Sequence, residues 1–426
     1  MTGNIKMYNM VIHIHKGATQ IGGNFIKLKT ANTTILVDAG MPLDFEDMTF
    51  EEQAKIKEDA ALWLSTVEAV FISHAHADHY GLLNQLDKKI PVFMSEETKV
   101  LLSMNPFCSV KINEMNIRVI PIRSKVVFKD FTITAYHVDH SAFGACAFLF
   151  EADDKSILYS GDIRLHGPKG KLYKLLPQNV DYMLLEGTNI ELEEECKSER
   201  EISRIFTQEF ISHPETLHTI WCSGQNIDRI VAIYKACKRT NKILVIDPYT
   251  AVILKKIAEH NSKIPNPLTF EDVKVYFPRR LTSALAHKHP TNFTIELQPW
   301  KNKISYEDIA ANPKKYIMTV RESVVDFMKQ LIIKKVPIRF TVSKWEGYWN
   351  SPKLMRFKTF IEQNCQQTPI IHTSGHSDVD GLRSIVRHVR PRVIIPIHTY
   401  APNLFKDKIA SDTRVWCPLE NIDYNL

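Results

Sequence analysis

The run Ser73-His74-Ala75-His76-Ala77-Asp78-His79 places four potential metal ligands within six positions. Neutral imidazole and carboxylate are the ligands zinc prefers, and they also suit manganese. On a turn leaving a strand, alternate residues can aim at one point and the next two at a neighbouring one. The competing description is a His-rich surface loop, and the order of ligand types directly after an apolar run argues against it. One catalytic zinc needs three protein ligands and an open position. The chain offers more: His140 in Tyr136-His137-Val138-Asp139-His140-Ser141, Asp162 in Tyr159-Ser160-Gly161-Asp162, and His398 in Pro396-Ile397-His398-Thr399. Taken singly, each has a bland alternative, a hydrogen-bonded histidine or a turn aspartate.

The elements that must position these side chains are short apolar or β-branched runs ending in polar residues. Thr34 to Val37 leads to Asp38-Ala39-Gly40, and Val67 to Ile72 leads to the histidine run. Ser156 to Tyr159 leads to Asp162, Tyr182 to Leu185 leads to Glu186-Gly187-Thr188, Ile370-Ile371 leads to His372, and Val393 to Ile395 leads to His398. Such runs suit strands buried on both faces, and open α/β sheets gather ligands just past their strand ends. Leu382, Ile385, Val386 and Val389 fall at helical spacing before Pro391, as do Ile227, Ile230, Val231 and Tyr234 after Gly224. The polar segment from Glu191 to Phe210 also reads as helical, and Phe277-Pro278-Arg279-Arg280 as a loop. The site-forming strands fall in two blocks, with a separate strand–helix pattern between them. This divides the chain into 1–195, an inserted α/β domain at 196–366, and a completing part at 367–426.

A length of 426 residues fits two domains. A hydrophobic fraction of 44% with 24% charged residues is that of a globular protein. No run of 18 apolar residues suggests a membrane span, and the N-terminus lacks the layout of a secretory signal. Seven scattered cysteines without a C-x-x-C pair suit a cytoplasmic protein and argue against a disulfide scaffold or a thiolate zinc site. A net charge of +6 tolerates a polyanionic partner, and suits an ordinary basic enzyme equally.

The histidine run, the distant His140 and the Asp162 after Ser-Gly together resemble the metallo-β-lactamase superfamily. Leu184-Leu185-Glu186-Gly187-Thr188, Thr373-Ser374-Gly375-His376 and Ile395-Pro396-Ile397-His398 look like motifs A, B and C of its β-CASP nucleases, the group that includes ribonuclease J. The resemblance covers nearly the whole chain. It implies an αββα sandwich with a β-CASP domain inserted between motifs A and B. It also implies two divalent metals, zinc or manganese. The first would be held by His74, His76 and His140, the second by Asp78, His79 and His398, with Asp162 bridging. Glu186 would fix a nearby ligand imidazole through its ring N–H. His376 would contact the scissile phosphate or protonate the leaving oxygen, and Asp78 would accept the proton of the attacking water. Two cations about 3.5–4 Å apart would generate hydroxide near neutral pH and neutralise charge on the phosphoryl oxygens.

The implied activity is hydrolysis of phosphodiester bonds in single-stranded RNA, by endonucleolytic or 5′-exonucleolytic cleavage. The histidine at motif C resembles the RNA-acting branch more than the DNA-repair branch. Ser374, Gly375 and Ser377 precede a helix and suit either a phosphate or simple capping. Asn226 and Arg229 lie in Cys222-Ser223-Gly224-Gln225-Asn226-Ile227-Asp228-Arg229, which resembles the substrate-facing turn of β-CASP domains. Trp345 could stack on bases or pack internally. Only 28 residues follow His398, which leaves no room for the C-terminal domain of ribonuclease J. The alternatives are a hydrolase of a small ester, thioester or cyclic phosphodiester, a DNA-acting β-CASP nuclease, and an inactive scaffold. The same metal core serves several chemistries, and the full ligand set disfavours the scaffold.

Overall fold

A computed structural model describes residues 10–105, 108, 110–259, 261–288, 302–409 and 412–426. The chain forms two compact units, one of residues 1–103, 107–196 and 375–426, the other of residues 104–106 and 197–374.

The first unit is built on two seven-stranded sheets. One runs Asp423–Asn425, Val11–Lys16, Phe25–Lys29, Thr34–Val37, Ala69–Phe71, Pro91–Met94, Asn116–Val119; it is antiparallel as far as Thr34–Val37 and parallel beyond. The other runs Arg414–Val415, Val393–Ile397, Tyr182–Glu186, Lys155–Tyr159, Cys146–Ala152, Phe131–His137, Lys125–Phe128, parallel first and antiparallel from Lys155–Tyr159 onward. Alternation along the strands makes the layers. Ile157 and Tyr159 join a core shared by both sheets, with Ile12, Ile26, Ile35, Phe71, Phe148 and Ile397. Leu158 points the other way, into a second core with Leu382, Ile385 and Val389 of the helix Val379–Val389. The result is an αββα sandwich. Both main strand blocks are buried on two faces, which explains their near-continuous apolar character.

The second unit holds a six-stranded parallel sheet in the order Val273–Val275, Ile243–Ile246, Tyr316–Val320, Leu217–Trp221, Ile338–Val342, Gln366–Gln367. Sequence pattern placed the boundaries at 195/196 and 366/367. The chain crosses between units at 196/197 and 374/375. The segment after 366 stays with the inserted unit because Gln366–Gln367 pairs with Ile338–Val342, and the Ile371 N–H donates to the Val342 carbonyl at 3.0 Å.

Two local expectations are corrected. The stretch from Glu191 is not helical until Glu199–Ser212, where Ser198 and Glu201 form a reciprocal cap. Arg279 and Arg280 open the helix Arg279–Lys288, because Pro278 is tolerated just ahead of a helix, where no N–H partner is needed. Among the described residues no helix is long and apolar enough to cross a membrane.

Candidate metal centre

Every candidate ligand sits just past the C-terminal end of a strand of the first unit. Ala69–Phe71 delivers the histidine run, Phe131–His137 delivers His140, Lys155–Tyr159 delivers Asp162, and Val393–Ile397 delivers His398. The histidine turn is seated against Gly40, where a Cβ would lie 1.8 Å from the Asp78 carbonyl oxygen. His398 has φ +52°, a left-handed conformation costly for a residue with a Cβ. Its N–H donates to the Gly17 carbonyl at 2.7 Å, which helps hold it there.

Three groups of candidate ligand atoms result. His74, His76, His140 and Asp162 form one, Asp78, His79 and His398 a second, and Asp162, His376 and His398 a third that overlaps both, each with atoms within 4.8 Å of one another. His76 Nδ1 lies 3.1 Å from both His74 Nε2 and His140 Nε2. Asp162 lies between the first two groups: Oδ2 is 3.4 Å from His74 Nε2 and 3.2 Å from His79 Nε2, and Oδ1 is 3.9 Å from His398 Nε2. Asp78 Oδ2 is 3.2 Å from His398 Nε2 and 3.6 Å from His79 Nε2.

The outward ring nitrogens decide what the inward ones can do. His140 Nδ1 is 2.5 Å from the Gly375 carbonyl, which can only accept. The proton is therefore on Nδ1, and Nε2 turns a lone pair inward. His79 Nδ1 likewise donates to Asp38 Oδ2 at 2.6 Å. His74 Nδ1 meets Ser73 Oγ at 3.0 Å, and His398 Nδ1 meets Thr188 Oγ1 at 2.8 Å. Outer partners of this kind orient metal-binding imidazoles.

Electrostatics fit cations as well. Burial holds His74 and His140 well below the ordinary imidazole range, so both are neutral. Burial would raise the Asp162 carboxyl, but His398, His79, His376 and His74 hold it well below the usual carboxylate range. Burial works against a charged His79, yet the carboxylates of Asp162, Asp78 and Asp38 raise it well above the ordinary value. Three carboxylates gathered in a buried site call for positive charge. Asp162 Oδ1 is buried and accepts no hydrogen bond, an atom a cation would satisfy. The donor set and this buried oxygen fit two divalent metals sharing Asp162.

His376 and Glu186 stand beside the cluster. His376 Nδ1 is 3.2 Å from Glu186 Oε1, 3.8 Å from Asp162 Oδ2 and 3.0 Å from Thr188 Oγ1. Burial lowers the His376 pKa, but Glu186 and Asp162 outweigh it and raise it to about 9. Glu186 also accepts from the N–H groups of Ile163 and Thr188 at 3.2 and 3.0 Å. The imidazole it touches is thus that of His376, which falls in a set with Asp162 and His398. The other candidate imidazoles are held by Ser73, Asp38, the Gly375 carbonyl and Thr188.

Asp38, noted in the sequence only as the residue after a strand, was given no role there. It is fully buried at φ +55°. It accepts from the Ser73 N–H (2.8 Å) and hydroxyl (2.8 Å), the Tyr159 hydroxyl (2.6 Å) and His79. The available signal was an aspartate after Thr34–Val37, the same strand-then-acid pattern that flagged Asp162.

The expected substrate contacts separate. Ser377 is fully buried and its N–H donates to the Ile163 carbonyl at 2.8 Å, so it lines no surface. The helix cap is Asp378, which accepts from the Gly381 N–H at 2.9 Å. Gly375 positions His140 through its carbonyl, and a Cβ there would sit 2.9 Å from the His140 ring. Arg229 is fully buried and donates to Glu199 at 3.1 Å, to Ser343 Oγ at 2.5 Å and to the Ser343 carbonyl at 3.2 Å, so it braces the inserted unit. Asn226 caps the helix Ile227–Arg239, its Oδ1 accepting from the Arg229 N–H at 3.0 Å. Trp345 is 58% exposed, with Tyr348 edge-on at 5.4 Å, and Ser374 is half-buried.

Residues 33–243 match the family model of the beta-lactamase superfamily domain, and residues 361–415 that of the Zn-dependent metallo-hydrolase RNA specificity domain. The chain belongs to the metallo-β-lactamase superfamily of metal-dependent hydrolases, in its β-CASP, ribonuclease J-like group. It is 24% identical over 416 residues to "Ribonuclease J" of Mycoplasma genitalium, across 91% of this chain and 67% of the relative. It is 20% identical over 433 residues to "Integrator complex subunit 11" of Danio rerio, across 94% of this chain and 71% of the relative. The chain thus spans about two thirds of the length of these relatives. A crystal structure of a protein of unknown function from Enterococcus faecalis V583 shares the fold, with a TM-score of 0.78 and 19% identity over 98% of this chain and 100% of that one.

Proposed function

We propose that this protein is a metal-dependent ribonuclease that hydrolyses phosphodiester bonds of single-stranded RNA. The observation that carries the proposal is the pair of ligand groups on either side of Asp162, with His376 against the same carboxylate. The ribonuclease J and Integrator relatives, and the RNA specificity match over 361–415, support RNA as the substrate. His74, His76 and His140 would hold one cation, Asp78, His79 and His398 the other, and Asp162 both. When bound, such a pair supplies Lewis-acid stabilisation of phosphoryl oxygens and lowers the pKa of water. Asp78 is the more open carboxylate of the cluster, 14% exposed against 2% for Asp162, and accepts the proton of the attacking water. Glu186 keeps a proton on His376 Nδ1 and orients that ring to meet the scissile phosphate or leaving oxygen. Trp345, Asn226 and Ser374 are the proposed contacts to the RNA chain.

The test is incubation of zinc- or manganese-loaded protein with 5′-monophosphorylated, 5′-triphosphorylated and circular RNA, and with single-stranded DNA. RNA cleavage that Asp162→Ala abolishes is the expected result. Cutting of the circle marks an endonuclease, and loss of only the 5′-monophosphorylated strand marks a 5′ exonuclease. Turnover of a generic ester or cyclic phosphodiester with no RNA cut would sink the proposal in favour of a small-molecule hydrolase.

A further inference from the structure

Three further ligand-type side chains converge elsewhere in the first unit. His166 follows Asp162 by four positions, Cys196 is the last residue before the chain enters the inserted unit, and Asp378 caps the helix Val379–Val389. One ligand atom from each lies within 4.8 Å of the others, and all three residues are half-buried. We propose that His166, Cys196 and Asp378 form an additional divalent-cation site of zinc type, built around one thiolate.

Imidazole, thiolate and carboxylate are zinc's own ligand classes, and three of them leave one position for water. The carboxylate is already oriented. Asp378 Oδ2 accepts from the Cys196 N–H at 3.0 Å and Oδ1 from the Gly381 N–H at 2.9 Å, which leaves lone pairs on both oxygens. The approach to Asp378 is fixed as well, since the Ser377 N–H bonds to the Ile163 carbonyl at 2.8 Å and Asn189 Nδ2 donates to the His376 carbonyl at 3.0 Å. No short cysteine motif announces this site, because its ligands come from three distant segments. A cation there would tie the segment leaving for the insert to the segment returning from it, and both to the turn after Asp162.

Cobalt(II) is the probe, because none of the ligands in the histidine cluster is a sulfur. Full-length protein stripped and reloaded with cobalt is expected to show a thiolate-to-cobalt charge-transfer band in the near ultraviolet. Cys196→Ser and His166→Gln should each remove that band and lower cobalt content by about one equivalent per chain, leaving the visible cobalt bands of the histidine cluster in place. Absence of the band at saturating cobalt, or its persistence in either variant, overturns the proposal. A measurement on the unaltered protein guards against a misfolded variant. Alkylation of Cys196, mapped by peptide mass, should be at least about 10-fold slower with zinc than after chelation. Equal rates overturn the proposal. Neither readout depends on ribonuclease activity.

Discussion

Four groups donate to the carboxylate of Asp38: the Ser73 N–H and hydroxyl, the Tyr159 hydroxyl and His79 Nδ1. Asp38→Ala would strand these donors, each at about 1–3 kcal/mol, and would free the His79 ring. Asp38→Asn keeps the shape and tolerates the left-handed backbone, but offers an amide where His79 needs an acceptor. We expect Asp38→Asn to fold, with metal affinity reduced about 10- to 100-fold, measured by competition with a chromogenic chelator. His218 makes a different prediction. Burial holds its pKa down to about 4, and its Nε2 is 3.0 Å from the His213 carbonyl. The unfolded chain takes up this proton near pH 6.5, so between about 6.5 and 4 the unfolded state binds more. Stability from this site is full above 6.5 and falls as pH drops towards 4. Thermal melts across that window should show a shallower acid slope for His218→Gln. At this scale the histidine run stood out because its residue types and order are rare, while His140, Asp162 and His398 became convincing as ligands only through the family resemblance. Asp38, Thr188 and Ser73 did not stand out, because one hydrogen bond to a ring leaves no mark on spacing.

Strand ends and helix starts set the next level. A methyl group at Gly40 would meet the Asp78 carbonyl at 1.8 Å, backbone against side chain with no flexible partner to yield. Gly40→Ala should therefore displace the whole histidine turn, and metal content by mass spectrometry should fall for both ligand groups together. Arg229 gives the opposite readout. It is fully buried beside Glu199, which is 5% exposed, and removing one partner of such a pair costs about 3–5 kcal/mol. Arg229→Ala should lower the inserted unit's stability in denaturant titrations and leave the metal content of the first unit unchanged. A loss of RNA binding with unchanged stability would restore it as a substrate contact. Apolar runs made the strands readable, and the i, i+3, i+4 pattern made the helices at 227 and 379 readable. The start at Glu199 was misread because the polar residues before it look helical in composition, and only the Ser198–Glu201 cap fixes where the helix begins. Arg229 was misread because a turn motif says nothing of where a long side chain goes.

For the molecule as a whole, bound metal is part of stability. A ligand that binds only the folded state stabilises it by about 2.7 kcal/mol at 100 times its dissociation constant. Chelation should lower the melting temperature of the native protein, and lower that of Asp162→Asn by less, which calorimetry with and without chelator would check. The division of the chain came from two blocks of site-forming strands on either side of a different strand–helix pattern, and the sandwich from the family resemblance. The return point was not legible, because the residues after Gln366 continue the inserted unit's hydrogen bonding before the chain crosses back. One connection has a further consequence. His398 faces Asp78 across 320 positions of sequence, while His74, His76, His140 and Asp162 all precede the insert. On a growing chain, one cluster of ligands is therefore translated long before the other is complete. If metal binds as proposed, the second ligand group is complete only after the strand Val393–Ile397 has been made and has slotted between Tyr182–Glu186 and Arg414–Val415.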